Sequence, residues 1–185
     1  MLDNIVFNTL RLQAYMANLH NKKYVIDLYN QKDSKEFLDG IDGELDFKLA
    51  MDCYDSHQNL GSYLFFENES KNFVGFGGVQ RQEPMLDGTL ALEDEIEFLI
   101  MVSKQFAGFG YAYEFSSVFL EKFFSVFPDL TVPARVNKEN IACIKLLQKL
   151  GFVHEREVGY RHYNNKFNLF RVNSNSFKSK ESKRG

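Results

Sequence analysis

Apolar and polar positions alternate from Ile5 to Gln13, which predicts a strand over that span. From Asn21 to Gln31 the spacing becomes helical through Tyr24, Leu28 and Tyr29, and Asp42 caps a second predicted helix that runs through His57. Two apolar runs, Ser62–Glu67 and Asn72–Gln80, flank the polar Asn68–Lys71 and predict a hairpin. Glu95–Val102 predicts a strand. The helix after it, Phe109–Val126, carries Phe115, Phe119 and Phe123 at helical spacing and stops before Pro128. A short strand over Thr131–Val136, a helix from Asn137 to Gly151 and closing strands over Phe152–Val158 and Phe167–Val172 complete the pattern. This order implies an α/β layer structure, one mixed sheet covered by helices on both faces. From Asn173 the residues turn to Ser, Asn and Lys, so a single domain is expected over 1–172 with a basic, flexible tail over 173–185, a helical extension packed on the body being the alternative.

Length and composition narrow the class. A chain of 185 residues fits one domain, and 44% hydrophobic with 25% charged residues is enough to fill a core. Nineteen Phe and nine Tyr against no Trp point to a core built from flat rings. A net charge of −3 offers no general attraction for nucleic acid or an anionic membrane, so neither is expected as a partner. Cys53 and Cys143 match no disulfide framework, and the opening residues show no basic segment leading into an apolar run; the expected setting is cytoplasmic. His20, His57, His154 and His162 lack metal-ligand spacing, and no metal is expected.

The first chemical signal is Gln105-Phe106-Ala107-Gly108-Phe109-Gly110, between a predicted strand end and the start of a predicted helix. Backbone N–H groups at a helix start face outward and the helix dipole favours an anion, so a pyrophosphate could sit there, with Gly108 and Gly110 adopting dihedrals closed to other residues. Alone this pattern is weak. It gains weight from Glu95-Ile-Glu-Phe-Leu-Ile100 just before it, Asn140-Ile-Ala-Cys143 about thirty residues after it, and Leu150-Gly-Phe152 at the end of the second helix.

Together these segments resemble the GNAT superfamily of acyl-CoA-dependent N-acyltransferases, nearest to the branch of ribosomal-protein and other protein N-terminal acetyltransferases. The resemblance runs from Phe7-Asn-Thr-Leu-Arg-Leu12 to about Val172. It implies a mostly antiparallel seven-stranded sheet, splayed between the fourth and fifth strands, with acetyl-CoA as acyl donor. The pantetheine would pair with backbone around Phe98 and Ile100, the pyrophosphate would lie on Gln105 to Tyr111, and Asn140 matches the motif asparagine near the pantetheine arm. Cys143 stands where this branch usually has Ser, a residue placed to protonate the departing thiolate. The tyrosine acid of a related branch would fall at Leu147 and is absent.

Glu95 and Glu97 lie on one face of the predicted strand, and either could be the base that deprotonates an amine. The plainer reading of each is a solvated or salt-bridged strand carboxylate, and of Cys143 a small core residue. From Gln82 to Ser103 there are six acids and no Lys or Arg, which is either a solvated loop or a field that draws a cationic amine. The expected activity is direct acetyl transfer from acetyl-CoA to a primary amine, on a small molecule or a protein N-terminus, with a homodimer as a possible assembly. A module that binds acyl-CoA without turning it over is the alternative.

Overall fold

The computed structural model describes residues 5–18, 20–32, 61–81, 96–160 and 163–181. The helix expected over 42–57 lies outside them. The chain divides into two compact units, residues 1–80 with 99–119 and residues 81–98 with 120–185.

Strands β1 (Ile5–Asn8), β2 (Leu12–Met16), β3 (Ser62–Glu67), β4 (Phe73–Arg81) and β5 (Ile96–Val102) form a sheet in that order, of which the first unit holds β1 to β3, β4 up to Gln80 and β5 from Leu99 onward. The single strand expected over Ile5–Gln13 is instead a hairpin. Thr9 closes the turn: its amide donates to the Leu12 carbonyl at 2.8 Å, and its hydroxyl accepts from the Leu12 amide at 3.0 Å. Leu10 then projects into solvent, 88% exposed. Buried positions change parity from Phe7 to Leu12 and Ala14, which one continuous strand could not accommodate on one face.

The β3–β4 hairpin forms as expected, and β3 is buried on both faces. Leu64 and Phe66 join Val25 and Leu28 of helix α1 (Lys22–Tyr29), while Tyr63 and Phe65 face helix α2 (Tyr111–Val126). The rings of Phe65 and Phe115 stack with centroids 4.4 Å apart, and Phe119 continues the stripe one turn on. Small residues on β4 make room for these rings and for β5, whose Met101 carbonyl and Ile100 side chain lie nearest to any Cβ added there. A Cβ on Gly75 would stand 2.5 Å from the Phe65 ring, and one on Gly77 would stand 3.0 Å from that of Phe115. Gly75 and Gly77 are therefore packing positions inside a strand.

The second unit holds β6 (Thr131–Asn137), β7 (Val153–Tyr160) and β8 (Tyr163–Asn173), ordered β6-β8-β7 with both pairings antiparallel. Helix α3 (Ile141–Lys149) begins later than expected. Asn137 stays in the strand, and Asn140 caps the helix by accepting from the Cys143 amide at 3.0 Å. The α/β layering of mostly antiparallel strands and helices is as expected. Eight strands are described where seven were expected, because the opening segment folds as two, and among the described residues no ladder joins β5 to β6.

The flexible tail is corrected by helix α4 (Ser174–Glu181). The Asn173 side chain accepts from the Ser176 amide at 2.9 Å, and the Ser176 hydroxyl accepts in return from the Asn173 amide at 3.2 Å, a reciprocal cap. One apolar residue then anchors the helix: Phe177 is 5% exposed, its ring 6.0 Å from that of Phe124. Gly151, with φ +92°, lets the α4 backbone approach; a Cβ there would stand 2.6 Å from the Ser176 carbonyl oxygen. Polar composition concealed a helix whose burial rests on a single ring. Phe177→Ala is expected to lower stability by about 3 kcal/mol, read as a lower urea midpoint. A chain ending at Asn173 should show a loss at least as large.

Candidate functional site

Gln105 lies in a 3-10 turn, Lys104–Phe106, that follows β5 and leads through Ala107 to α2. The turn is held by amide bonds from Phe106 to the Ser103 carbonyl (2.9 Å) and from Ala107 to the Lys104 carbonyl (3.0 Å). Gly108 and Gly110 both take φ +83°, the left-handed region open to glycine. A Cβ on Gly108 would meet nothing within 4 Å, so conformation, rather than crowding by the protein, selects glycine there. Phe109 between them is 65% exposed. Tyr111 opens α2 with the Phe106 ring edge-on to its own at 5.8 Å. The first N–H groups of such a helix have no partner within it. Beside the turn, an open depression of about 600 Å³ is lined by Gln31, Lys32, Ser103, Lys104 and Gln105, which puts two lysines next to Gln105.

Residues outside the expected set shape this helix opening. Glu114, in the first turn of α2, accepts from the Thr9 hydroxyl (2.5 Å), the Arg11 amide (2.6 Å) and Arg11 Nε (2.7 Å). Burial pushes the Glu114 carboxyl up, but these bonds and the Arg11 charge outweigh it and hold the group below the usual carboxylate range. The Tyr111 hydroxyl donates to Glu67, and this bond raises the phenol above its ordinary value. Glu67 is lowered, first by the Ser70 hydroxyl and then by Tyr111. A Thr-x-Arg sequence and a Glu more than a hundred positions later carry no local signal of this pairing.

In the second unit, Glu97 is buried on β5, where the sequence left base and ion pair open. Its Oε1 accepts from the Arg135 amide and Nε, both at 2.9 Å, and its Oε2 from Nη2 at 2.6 Å. Both side chains are almost wholly buried, 3% exposed for Arg135 and 8% for Glu97. Phe98 is buried beside Phe152, with ring centroids 5.4 Å apart. Glu95 lies outside the described residues. Ile100, in the first unit, reaches under Gly77.

Asn140 uses its side-chain oxygen as the cap of α3. Cys143, on the first turn, is half-buried, and burial pushes its thiol up to about 12. Such a thiol keeps its proton at neutral pH, yet passing it to a thiolate whose ordinary pKa is about 8.5 runs uphill by about 4–5 kcal/mol. Among the described residues no three His, Cys, Asp or Glu side chains gather as a metal site, and no helix is long and apolar enough to cross a membrane.

The lowered Glu114 carboxyl gives a pH test. A depressed folded-state value means that its stabilisation is complete above the unfolded value and is lost as pH falls through the folded one. Glu114→Gln should cost about 1–2 kcal/mol at pH 7, since Arg11 is partly exposed, and the deficit against wild type should vanish in acid. Urea midpoints of both proteins from pH 7 down to pH 3 measure this; a deficit that stays constant would contradict the ion pair.

Comparison with known proteins gives a family from the sequence and a fold from the structure. The family model described as the acetyltransferase (GNAT) domain matches residues 7–153. No curated protein matches the chain in sequence. Among solved structures, a GNAT-family acetyltransferase from Bordetella pertussis is 18% identical with a TM-score of 0.73, over 91% of this chain and 99% of that one. An acetyltransferase from Agrobacterium tumefaciens is 15% identical with a TM-score of 0.68, over 92% and 98%. A spermidine N-acetyltransferase from Vibrio cholerae, solved with CoA and spermine, is 15% identical with a TM-score of 0.67, over 91% and 98%. At these identities the structures speak for the fold, and the profile match, across most of the chain and both units, settles membership: the chain belongs to the GNAT acetyltransferase family.

Proposed function

We propose that the protein transfers an acetyl group from acetyl-CoA directly to a primary amine within a ternary complex. The observation that carries this reading is the pair of left-handed glycines at the opening of α2, in a chain of this family. The donor's diphosphate lies on Gln105 to Tyr111, beside Lys104 and Lys32, and is held by N–H groups and the helix dipole. Its pantetheine arm pairs with the β5 backbone around Phe98 and Ile100 and passes near Asn140. The amine attacks the thioester carbonyl, backbone N–H groups stabilise the oxyanion, and the CoA thiolate leaves.

Of the two carboxylates, Glu95 takes the proton from the acceptor ammonium. Glu97 has both oxygens occupied by Arg135, and protonating it would leave a buried guanidinium without its counter-charge. Cys143 is a costly donor, so the proton that the attacking nitrogen sheds passes through water to the departing thiolate, or goes to water while the thiolate leaves as the anion.

The acceptor is a protein α-amine, as in the N-terminal acetyltransferase branch. Freeing an α-amine of pKa about 7.8 at pH 7 takes about 1 kcal/mol, whereas an amine near 10.4 takes about 4.6 kcal/mol. A polyamine is the second candidate, since the Vibrio cholerae neighbour was solved with spermine. The rival reading, a module that binds acyl-CoA without turnover, draws on the costly Cys143 thiol and on Leu147 where a tyrosine acid would stand.

CoA release measured against peptide α-amines, polyamines and small amines separates these readings. Release with an acceptor supports transfer; tight acetyl-CoA binding with no release on any amine supports the module. Glu95→Gln is expected to lower turnover by about 100–10,000-fold at neutral pH, with the loss shrinking as pH approaches the amine's own pKa. Glu97→Gln should instead cost about 3–5 kcal/mol of stability by stranding Arg135, leaving the shape of the pH–rate profile unchanged in the folded fraction. The reverse pattern would assign the base to Glu97.

A further inference from the structure

The turn between β1 and β2 reaches the opening of α2 through one side chain. Arg11 Nε is bound to Glu114, while Nη1 donates to the Phe109 carbonyl at 3.1 Å. The guanidinium carbon lies 4.2 Å from the centre of the Tyr111 ring, a cation–π contact. Nη2 stands 3.6 Å from where a Cβ on Gly110 would be, and among the described residues no acceptor takes it. One planar cation therefore meets Phe109, Gly110, Tyr111 and Glu114.

Two electrostatic effects follow. A carboxylate in the first turn of a helix suits the dipole but repels any anion arriving at the same end, and Arg11 pairs with that charge at 2.7 Å. A carbonyl in an anion loop is likewise repulsive when it faces the ligand, and Nη1 holds the Phe109 carbonyl on the protein side. The remaining donor, Nη2, lies along Gly110.

We propose that Arg11 is a positioning residue for the diphosphate of the acyl donor: it fixes the Phe109–Gly110 backbone, cancels the Glu114 charge and presents Nη2 to the anion. This rests on the reading that the loop takes the diphosphate. A lysine would carry the charge but could not bond Glu114 and Phe109 and stack on Tyr111 with one rigid plane.

Calorimetric titration with acetyl-CoA and with acetylpantetheine, which lacks the phosphates, tests the proposal on wild type, Arg11→Ala, Arg11→Lys and Gly108→Trp. Arg11→Ala should bind acetyl-CoA about 10–100-fold more weakly with its acetylpantetheine affinity unchanged, and Arg11→Lys should recover part of the loss. A purely structural arginine would weaken both donors alike, and that outcome overturns the proposal. So does a folded Arg11→Ala that binds acetyl-CoA as wild type does while Gly108→Trp does not. If Gly108→Trp also binds normally, the loop reading itself falls. Should Arg11→Ala fail to fold, Arg11→Lys decides: loss confined to acetyl-CoA supports the proposal, and equal loss or none overturns it.

Discussion

Glu114 ties the turn between β1 and β2 to the start of α2, two parts of the chain that lie more than a hundred residues apart. A carboxylate that is mostly shielded from water must be bonded, and its three donors come from Thr9 and Arg11, more than a hundred residues earlier in sequence. The consequence runs both ways along the structure. Toward the N-terminus it pins the β1–β2 turn, whose tip otherwise ends in the solvated Leu10. Toward the C-terminus it sets the rotation of α2, since Phe115 follows Glu114 directly and must enter the ring stack with Phe65. The rotation that seats Phe115 also directs the open end of the helix past Gly110, where the proposed diphosphate site begins.

Ring packing supplies the second constraint. Gly75 and Gly77 leave room both for the Phe65 and Phe115 rings and for β5, whose Met101 carbonyl and Ile100 side chain stand nearest to a Cβ at those positions. That fit positions the segment from Ser103 onward, whose amide is bonded to the Val74 carbonyl at 2.8 Å. The loop therefore starts from a backbone bond and ends on a packed helix, with two glycines absorbing the turn between. Rigid flanks with a conformationally special middle suit the capture of an anion by backbone groups.

Sequence patterning made most of this legible. The β3–β4 hairpin, β5, the Phe-rich α2 and the β6–α3 succession follow from period-2 and period-3.6 spacing, and the glycine loop from its place between a strand and a helix. Three features escaped. The β1–β2 turn was hidden because Asn8-Thr9-Leu10-Arg11 keeps an alternating appearance while the buried parity shifts by one. Helix α4 was hidden because Phe177 is a single apolar residue in a polar segment, held by a cap that sequence composition does not weigh. Ion pairs were hidden for a more general reason: Glu97 with Arg135 and Glu114 with Arg11 join distant positions, and a single sequence carries no record of which charges meet. The strand carboxylates could be counted from sequence, but which of them is already bound could only be seen in three dimensions.

Everything proposed for the donor depends on the opening of α2 receiving its phosphates. Amide hydrogen exchange, followed residue by residue with and without acetyl-CoA, reads that surface directly through the N–H groups said to bind. Slowed exchange concentrated at Gly108 to Ala112, and absent when acetylpantetheine replaces acetyl-CoA, is the expected result. Saturating acetyl-CoA that leaves those amides unchanged while protecting another part of the chain would contradict it.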